Sequence, residues 1–186
     1  MRYRHLILDR DGVLNCEAPP PGYVLRPEDF HWLPGALEGL AMLHRAGVRL
    51  SVATNQSGVG RGWMTPTMLE AVHARMLAEA ESHGGPLDAL FVCPHAPDAG
   101  CGCRKPAPGL IEAAVHGSGI PAAESLVVGD DGRDLDAAAR AGVPAALVRT
   151  GKGHALEARL AGRSGILVYD DLHALARAIV EPDPSR

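Results

Sequence analysis

Short apolar runs alternate along the chain with segments in which apolar residues recur every three or four positions. Each run is nearly all apolar, as expected for strands of a parallel sheet that are covered on both faces. The alternation of the two patterns predicts an α/β fold, a Rossmann-like parallel sheet with helices on both faces. The predicted strands are His5 to Leu8, Val48 to Ala53, Ala89 to Val92, Leu126 to Val128, Ala145 to Val148 and Ile166 to Val168.

Helical periodicity fills the intervals between these runs. One helix surrounds Leu40 and ends near Gly47. The next surrounds Val72, with Thr65 as its N-cap and Pro66 at its first position. Further helices are predicted to begin near Pro108, Arg133 and Asp171, and a short one covers His154 to Leu160.

Three long segments carry neither pattern. Loops of this length within a compact domain are usually functional or disordered, so they are where binding residues are expected. They are Asn15 to Trp32, Asn55 to Met64 and Cys93 to Ala107.

The overall composition narrows the class of protein. The chain has 186 residues, 46% hydrophobic and 22% charged, which suits a single domain over residues 1–186. A net charge of −4 without a Lys/Arg stripe predicts no nucleic-acid partner. No apolar stretch reaches about 18 residues and the N-terminus leads straight into a strand, so we expect no membrane span and a cytoplasmic location. The expected protein is a monomer that holds an anionic small molecule with a few local cations.

Polar residues mark the ends of four predicted strands: Asp9, Thr54, Cys93 and Asp130. Ligands of open parallel sheets bind beyond the carboxyl ends of the strands, so these residues are expected at one edge. Asp9 and Asp11, two positions apart, should point to the same side of the chain. With Asp130 they offer oxygen ligands to Mg²⁺, one aspartate attacking a phosphoryl group and the other moving a proton. The alternative for the pair alone is that both are turn or capping residues.

The loop from Thr54 to Gly62 reads Thr-Asn-Gln-Ser-Gly-Val-Gly-Arg-Gly. Its hydroxyl, amide and free backbone N–H groups suit phosphate oxygens, and Arg61 could add a bidentate clamp. The alternative is a solvated glycine loop in which Thr54 has only a structural role.

A third constellation lies in the last long loop, where Cys93, His95, Cys101 and Cys103 fall within eleven residues. Three sulfurs and one imidazole form a tetrahedral donor set for Zn²⁺, and four protein ligands leave no open position, so this metal is expected to be structural. A disulfide is the weaker alternative, because a Cys-x-Cys bond is strained and Cys16 would be left over. Arg104 and Lys105 directly follow the last ligand, and a pinned Cys103 would fix where they point.

Other polar residues lack a motif. Asp134, near the start of a predicted helix, is either an N-cap or part of the acidic site. His5 lies in an apolar strand and is expected to be structural, whereas His73 is expected at a surface or helix position without a role.

Together the motifs are similar to those of the haloacid dehalogenase-like phosphatases. The matching segments are Asp9-Arg10-Asp11-Gly12-Val13-Leu14-Asn15, Thr54-Asn55-Gln56-Ser57-Gly58, Cys-x-His with Cys-x-Cys-Arg-Lys-Pro, and Val128-Gly129-Asp130. They cover roughly residues 4 to 152 in the family's order. The resemblance implies a capless fold with a zinc-binding loop, and it is to the branch whose members act on a heptose bisphosphate or on histidinol phosphate.

The resemblance also implies roles for individual residues. Asp9 would be the nucleophile that forms an aspartyl-phosphate, and Asp11 the acid and base. Thr54 and Lys105 would hold the transferring phosphoryl group. Mg²⁺ would sit on Asp9, the Asp11 carbonyl and Asp130. Substrate contacts are expected from Asn55, Gln56, Ser57, Arg61 and Arg104.

The implied reaction is a Mg²⁺-dependent hydrolysis of the C7 phosphate of D-glycero-D-manno-heptose 1,7-bisphosphate, in nucleotide-heptose biosynthesis for a surface glycan. Histidinol phosphate stays open as the substrate, as does a catalytically inactive binding domain. One departure is Asp131, where enzymes acting on heptose often have Lys. It puts a substrate contact there in doubt.

Overall fold

Six strands form one sheet in the computed structural model, which describes residues 2–18, 22–160 and 165–181. Every neighbouring pair is parallel, and the order across the sheet is third, second, first, fourth, fifth, sixth. The strands are β1 (His5–Leu8), β2 (Arg49–Asn55), β3 (Ala89–Cys93), β4 (Ser125–Gly129), β5 (Ala145–Val148) and β6 (Leu167–Tyr169).

All six predicted strands are confirmed: β1 and β5 have the predicted bounds, and the other four differ by one or two residues at their ends. Thr54 and Cys93 were expected just beyond β2 and β3, but both lie inside these strands because their backbones still pair with the neighbouring strand, Thr54 opposite Val92. Both residues nevertheless sit at the carboxyl ends, as the sequence predicted.

The predicted helices are confirmed as well, although the short one predicted over His154 to Leu160 spans Gly153–Glu157 and so ends three residues early. The Thr65 side chain accepts a hydrogen bond from Met68 N, and Pro66 opens its helix, so the second helix begins where its capping residues predict. The helices are α1 (Ala36–Arg45), α2 (Pro66–Ser82), α3 (Gly109–Ser118), α4 (Gly132–Arg140), α5 (Gly153–Glu157) and α6 (Leu172–Val180), with single 3₁₀ turns at Pro27–Asp29 and Ala122–Glu124.

Apolar side chains of the strands alternate between the two faces of the sheet. In β1, Leu6 and Leu8 join a core beneath α1, α2 and α6, whereas Ile7 joins a second core beneath α3 and α4. This alternation is the period of two that a strand imposes, and it explains why strands buried on both faces read as unbroken apolar runs.

The position of β1 and β4 decides where a site can form. The chain builds β1, β2 and β3 outward in one direction, then returns so that β4 pairs on the other side of β1. The loops after β1 and β4 therefore leave the sheet in opposite senses and open a crevice at the carboxyl edge, the usual ligand position in such sheets.

Candidate active site

A cavity of about 340 Å³ occupies this crevice. Its lining includes all five residues that were expected to carry phosphoryl chemistry: Asp9, Asp11, Thr54, Lys105 and Asp130. They come from four separate parts of the chain, so the convergence predicted from the strand ends is present in the structure.

Lys105 is the central cation of the cavity. Its side chain is only 3% exposed, and Nζ lies 2.9 Å from Asp9 Oδ1 and 2.5 Å from Asp134 Oδ1 while donating to the Ala53 carbonyl at 2.7 Å. Burial opposes the charge, but Asp134 and Asp9 outweigh it and raise the pKa of Lys105 above its usual value. The side chain is thus a fixed positive charge beside the proposed nucleophile.

Asn55 explains how Lys105 is held. Its side-chain Nδ2 donates to the Lys105 carbonyl at 3.0 Å, and its Oδ1 accepts from Lys105 N at 3.0 Å. Asn55, at the end of β2, therefore fixes the backbone of the loop that carries the lysine by two hydrogen bonds, and it also lines the cavity.

Asp9, Asp130 and Asp134 form an acidic cluster in which one carboxylate oxygen from each residue lies within 4.8 Å of the other two. Burial, supported by the other carboxylates, raises the pKa of Asp130 to about 8 and that of Asp9 to about 6, although Lys105 partly opposes the second shift. One lysine does not balance the charge of three carboxylates, two of them buried. Oxygen donors in such a group are the ligands that a hard divalent cation takes, so the residues fit Mg²⁺.

Asp11 has a different environment, with donors on both oxygens. Arg10 donates to Oδ1 at 2.9 Å and to Oδ2 at 3.0 Å, Asn15 donates to Oδ1 at 3.0 Å, and Gln56 donates to Oδ2 at 2.8 Å. Burial opposes ionisation, but the charge and hydrogen bonds of Arg10, with those of Asn15 and Gln56, outweigh it and hold the pKa of Asp11 below its usual range. Two neighbouring aspartates thus have pKa values shifted in opposite directions, because their surroundings differ.

Two glycines give Asp130 its space. Gly12 has φ +89° and Gly151 has φ +55°, and a Cβ at either position would overlap the Asp130 carboxylate. Between them, Lys152 N donates to Asp130 Oδ2 at 2.8 Å. The loops after β1 and β5 can approach this carboxylate closely only because both residues lack a side chain.

The loop after β2 supplies fewer cavity groups than the sequence suggested. Gln56 is buried, and its amide donates to Thr54 Oγ1 at 2.8 Å and to Asp11. Ser57 lines the cavity and shares a 2.8 Å hydrogen bond with the Tyr23 hydroxyl. Arg61 is placed over the Trp63 ring at 5.0 Å and is not among the cavity-lining residues described. Direct substrate contact by Gln56 and Arg61 stays a prediction.

The rim of the cavity is strongly charged. Arg104, Arg133 and Lys152 line it together with Glu17 and Asp131. Arg104 Nη1 is buried without a hydrogen-bond partner among the described residues, which leaves a donor for a ligand. Lys152 Nζ meets Glu17 at 2.6 Å.

The N-cap of α4 is Asp131 rather than Asp134. Asp134 was considered as the N-cap of α4, but Asp131 holds that position, its side chain accepting from Arg133 N at 3.1 Å. Asp134 Oδ2 accepts a hydrogen bond from Asp131 N at 3.1 Å, which completes a capping box and leaves Oδ1 facing Lys105. The Arg133 guanidinium also pairs with Asp131 at 2.7 Å and, against the effect of burial, lowers its pKa to about 2.

The four zinc candidates lie together beyond β3. Their donor atoms are within 4.8 Å of one another: Cys103 Sγ is 3.2 Å from Cys93 Sγ and 3.3 Å from His95 Nδ1, and Cys93 Sγ is 3.7 Å from Cys101 Sγ. Zn–S bonds of about 2.3 Å in a tetrahedron place sulfurs about 3.8 Å apart, so the group has the dimensions of a closed zinc site. All four cysteines of the chain are free thiols, which excludes the disulfide alternative from this structure.

Sequence reasoning missed three of these interactions. Each joins residues from separate loops or helices: Lys105 with Asp134, Gln56 with Asp11, and the buried His73 with Arg10. Only the last had a signal in the sequence, because His73 lies one position after Val72 on the apolar face of a predicted helix. His5 is structural as predicted, placed between Ser51 and Ser125 at 2.9 and 3.2 Å.

Comparisons with known proteins show the family to which the chain belongs. The HAD-hydrolase-like family model matches residues 102–175. A curated relative from Pseudomonas putida is 42% identical over 94% of this chain and 98% of its own length. The chain therefore belongs to the haloacid dehalogenase-like hydrolase family.

Within that family, two curated relatives and one solved structure carry the same activity in their names. The Pseudomonas putida relative, and one from Bordetella bronchiseptica that is 40% identical over 95% of this chain and 97% of its own length, are each named D-glycero-beta-D-manno-heptose-1,7-bisphosphate 7-phosphatase. A crystal structure of D,D-heptose 1,7-bisphosphate phosphatase from B. bronchiseptica, complexed with magnesium and phosphate, superimposes with a TM-score of 0.91 at 39% identity, covering 97% of this chain and 99% of that one. Among residues 2–18, 22–160 and 165–181, no helix is long and apolar enough to cross a membrane.

Proposed function

We propose that this protein is a phosphatase that removes the C7 phosphate of D-glycero-β-D-manno-heptose 1,7-bisphosphate. The observation that carries the reaction class is the enclosure of Asp9 and Asp11 in one cavity with Lys105 and Asp130. The substrate, including its β anomer, is proposed from the names of relatives that span nearly the whole chain. The same names favour the heptose substrate over histidinol phosphate.

The reaction begins with attack of an Asp9 carboxylate oxygen on the C7 phosphorus. The bond between phosphorus and the C7 oxygen breaks, and Asp11 gives a proton to that leaving oxygen. Water then attacks the aspartyl-phosphate, Asp11 takes a proton from it, and Asp9 is regenerated with release of inorganic phosphate. Phosphoryl transfer depends mainly on positioning and charge neutralisation, and here Lys105 and Thr54 supply both beside Asp9.

Mg²⁺ is the proposed cofactor. Asp9, the Asp11 backbone carbonyl and Asp130 would hold it, and its double charge would neutralise the phosphoryl oxygens. Asp134 stays with Lys105 and the capping box in this assignment, although its carboxylate belongs to the same acidic cluster.

Zn²⁺ is the proposed occupant of the Cys93, His95, Cys101 and Cys103 group. Its task would be to fix the segment that leads from Cys103 into Arg104 and Lys105, so that the lysine enters the cavity at one position. Free thiols that bind zinc also suit the reducing cytoplasm, where we place the protein.

Arg104 is proposed to recognise the part of the substrate that does not react. Its buried, unpartnered Nη1 beside the cavity supports this assignment, because a ligand anion would satisfy that donor.

The deciding experiment compares kcat/KM for the heptose bisphosphate and for histidinol phosphate, with ³¹P NMR to show which phosphate leaves. We expect a clear preference for the heptose and a product that retains its C1 phosphate. A higher kcat/KM for histidinol phosphate, or loss of the C1 phosphate, would refute the proposal.

A further inference from the structure

Arg10 lies between the two proposed catalytic aspartates, yet its side chain is wholly buried and does not line the cavity. Taking a guanidinium out of water costs several kcal/mol unless its N–H groups are paired. Here Nε has no hydrogen-bond partner among the described residues. A guanidinium that is buried at this cost directly beside Asp9 and Asp11 is expected to have a specific role.

The contacts of the guanidinium indicate that role. Nη2 donates to both oxygens of Asp11, at 2.9 and 3.0 Å, and Nη1 lies 3.1 Å from His73 Nε2. Arginine is always protonated and can only donate, so Nε2 of His73 must accept with its lone pair. One group therefore connects the carboxylate of Asp11 to a histidine of α2.

His73 does not itself touch the reacting groups in the described contacts. It projects from the buried face of α2, beside Val72 and Met76, and is 6% exposed. It is absent from the cavity lining and contacts neither Asp9 nor Lys105 in any hydrogen bond described. Among the described contacts, the hydrogen bond to Arg10 connects His73 to the site.

We propose that His73 is a positioning residue that orients the Asp11 carboxyl group through Arg10. The imidazole anchors one end of the guanidinium to α2, and the other end then meets both Asp11 oxygens from a fixed direction. Asn15 and Gln56 each hold one oxygen, whereas Arg10 spans the two and stops rotation of the carboxyl group. The inference rests on the proposed function, because Asp11 must be the residue that protonates the leaving oxygen.

The test uses the leaving group. A sugar alkoxide leaves slowly unless it is protonated, whereas 4-nitrophenolate leaves readily without a proton. The value of kcat/KM covers only the steps through the first irreversible event, which is departure of the leaving group, so hydrolysis of the aspartyl-phosphate does not contribute. Loss of Asp11 alignment should therefore lower kcat/KM for the sugar phosphate and spare 4-nitrophenyl phosphate.

His73→Leu removes the acceptor while keeping a buried apolar volume, and His73→Gln restores an acceptor near the position of Nε2. For His73→Leu we expect kcat/KM on the sugar phosphate to fall at least about tenfold, part of the usual contribution of a general acid, with much less change on 4-nitrophenyl phosphate. His73→Gln should return the ratio of the two values close to that of the wild type. His73→Asn, one methylene too short to reach Arg10, should resemble His73→Leu and serves if that variant does not fold.

His5→Gln is the matched control. Like His73, His5 is a buried histidine, but it makes two polar contacts, with Ser51 and Ser125, and lies at the end of β1 far from Asp9. We expect its substrate ratio to equal that of the wild type. Equal losses on both substrates in His73→Leu, or no loss on either, would overturn the proposal.

The proposed function is judged separately, by whether wild-type protein hydrolyses the heptose bisphosphate at C7. The inference is judged by the ratio between variant and wild type. Any alkyl phosphate that the wild type accepts can replace the heptose in this test, so failure of one proposal does not imply failure of the other.

Discussion

At the scale of single residues, Asp9 and Asp11 illustrate how two identical side chains acquire different chemistry. Asp9 faces one lysine and two further carboxylates, whereas Asp11 receives hydrogen bonds from Arg10, Asn15 and Gln56. The pKa of Asp9 is raised to about 6 by burial, and that of Asp11 is lowered. Neighbours rather than residue type therefore give the two carboxyl groups different pKa values.

Replacing the nucleophile gives the simplest prediction. Asp9→Asn removes the attacking carboxylate but keeps its size, so turnover should fall below detection while the circular dichroism spectrum and melting temperature stay near those of the wild type. Asp170→Asn, at a side chain that is 78% exposed, is the control and should keep full activity. Turnover by the Asp9→Asn variant at the rate of the wild type would exclude Asp9 as the nucleophile.

Gly12 should tolerate no side chain. Gly12→Ala combines strain at φ +89° with overlap of the new Cβ and the Asp130 carboxylate. Gly84→Ala is a matched control, because φ there is +77° and nothing lies within 4 Å of the added carbon.

The two variants separate strain from overlap. Gly84→Ala should lose about 1 to 2 kcal/mol of unfolding free energy from strain alone. Gly12→Ala should lose more than this and should also lose activity. Urea denaturation and a phosphatase assay measure both quantities, and equal losses of stability would show that Asp130 can move aside.

At the scale of elements, local signals in the sequence predicted most of the fold. Apolar runs marked all six strands, and Thr65 with Pro66 marked the start of α2. The parallel topology then placed Asp9, Thr54 and Asp130 at one edge, because carboxyl ends of parallel strands share an edge. Expectations of this kind need only the periodicity of a strand or helix and the geometry of the sheet.

Contacts between separate elements were beyond that reasoning. Asp134 looked like a capping residue because it stands near a helix start, and its approach to Lys105 depends on how α4 packs beside the loop after β3. His73 looked like an ordinary helix position because its partner, Arg10, lies 63 residues away. Such pairs follow from tertiary packing, and no local spacing encodes them.

The loop that follows β3 provides a prediction about a whole element. Purified protein should contain about one zinc per chain by inductively coupled plasma mass spectrometry, and Cys103→Ser should lower that content. Because Cys103 directly precedes Arg104 and Lys105, Cys103→Ser should also lower kcat. Cys16→Ser is the control and should keep both its zinc and its activity. Metal-free wild-type protein with four titratable thiols would contradict the zinc assignment.

At the scale of the whole molecule, two buried histidines link stability to pH. Burial lowers the pKa of His5 to about 4, assisted by Arg49, and lowers that of His73 to about 4, assisted by Arg10. The unfolded chain, with histidine pKa values of about 6.5, then binds more protons than the folded protein between pH 6.5 and 4. Their contribution to stability is complete above pH 6.5 and is lost as pH falls toward 4.

A variant isolates the share of one histidine. His5→Gln keeps a hydrogen-bonding side chain between Ser51 and Ser125 but cannot titrate. The difference in unfolding free energy between the wild type and this variant should therefore fall by on the order of 3 kcal/mol from pH 7 to pH 4, since one pKa unit corresponds to about 1.4 kcal/mol. Urea denaturation across this pH range measures the difference. The buffer contains enough MgCl₂ to occupy the acidic cluster in both proteins, so that its charge is neutralised. A difference that stays constant with pH would mean that His5 takes up its proton equally in the folded and unfolded states.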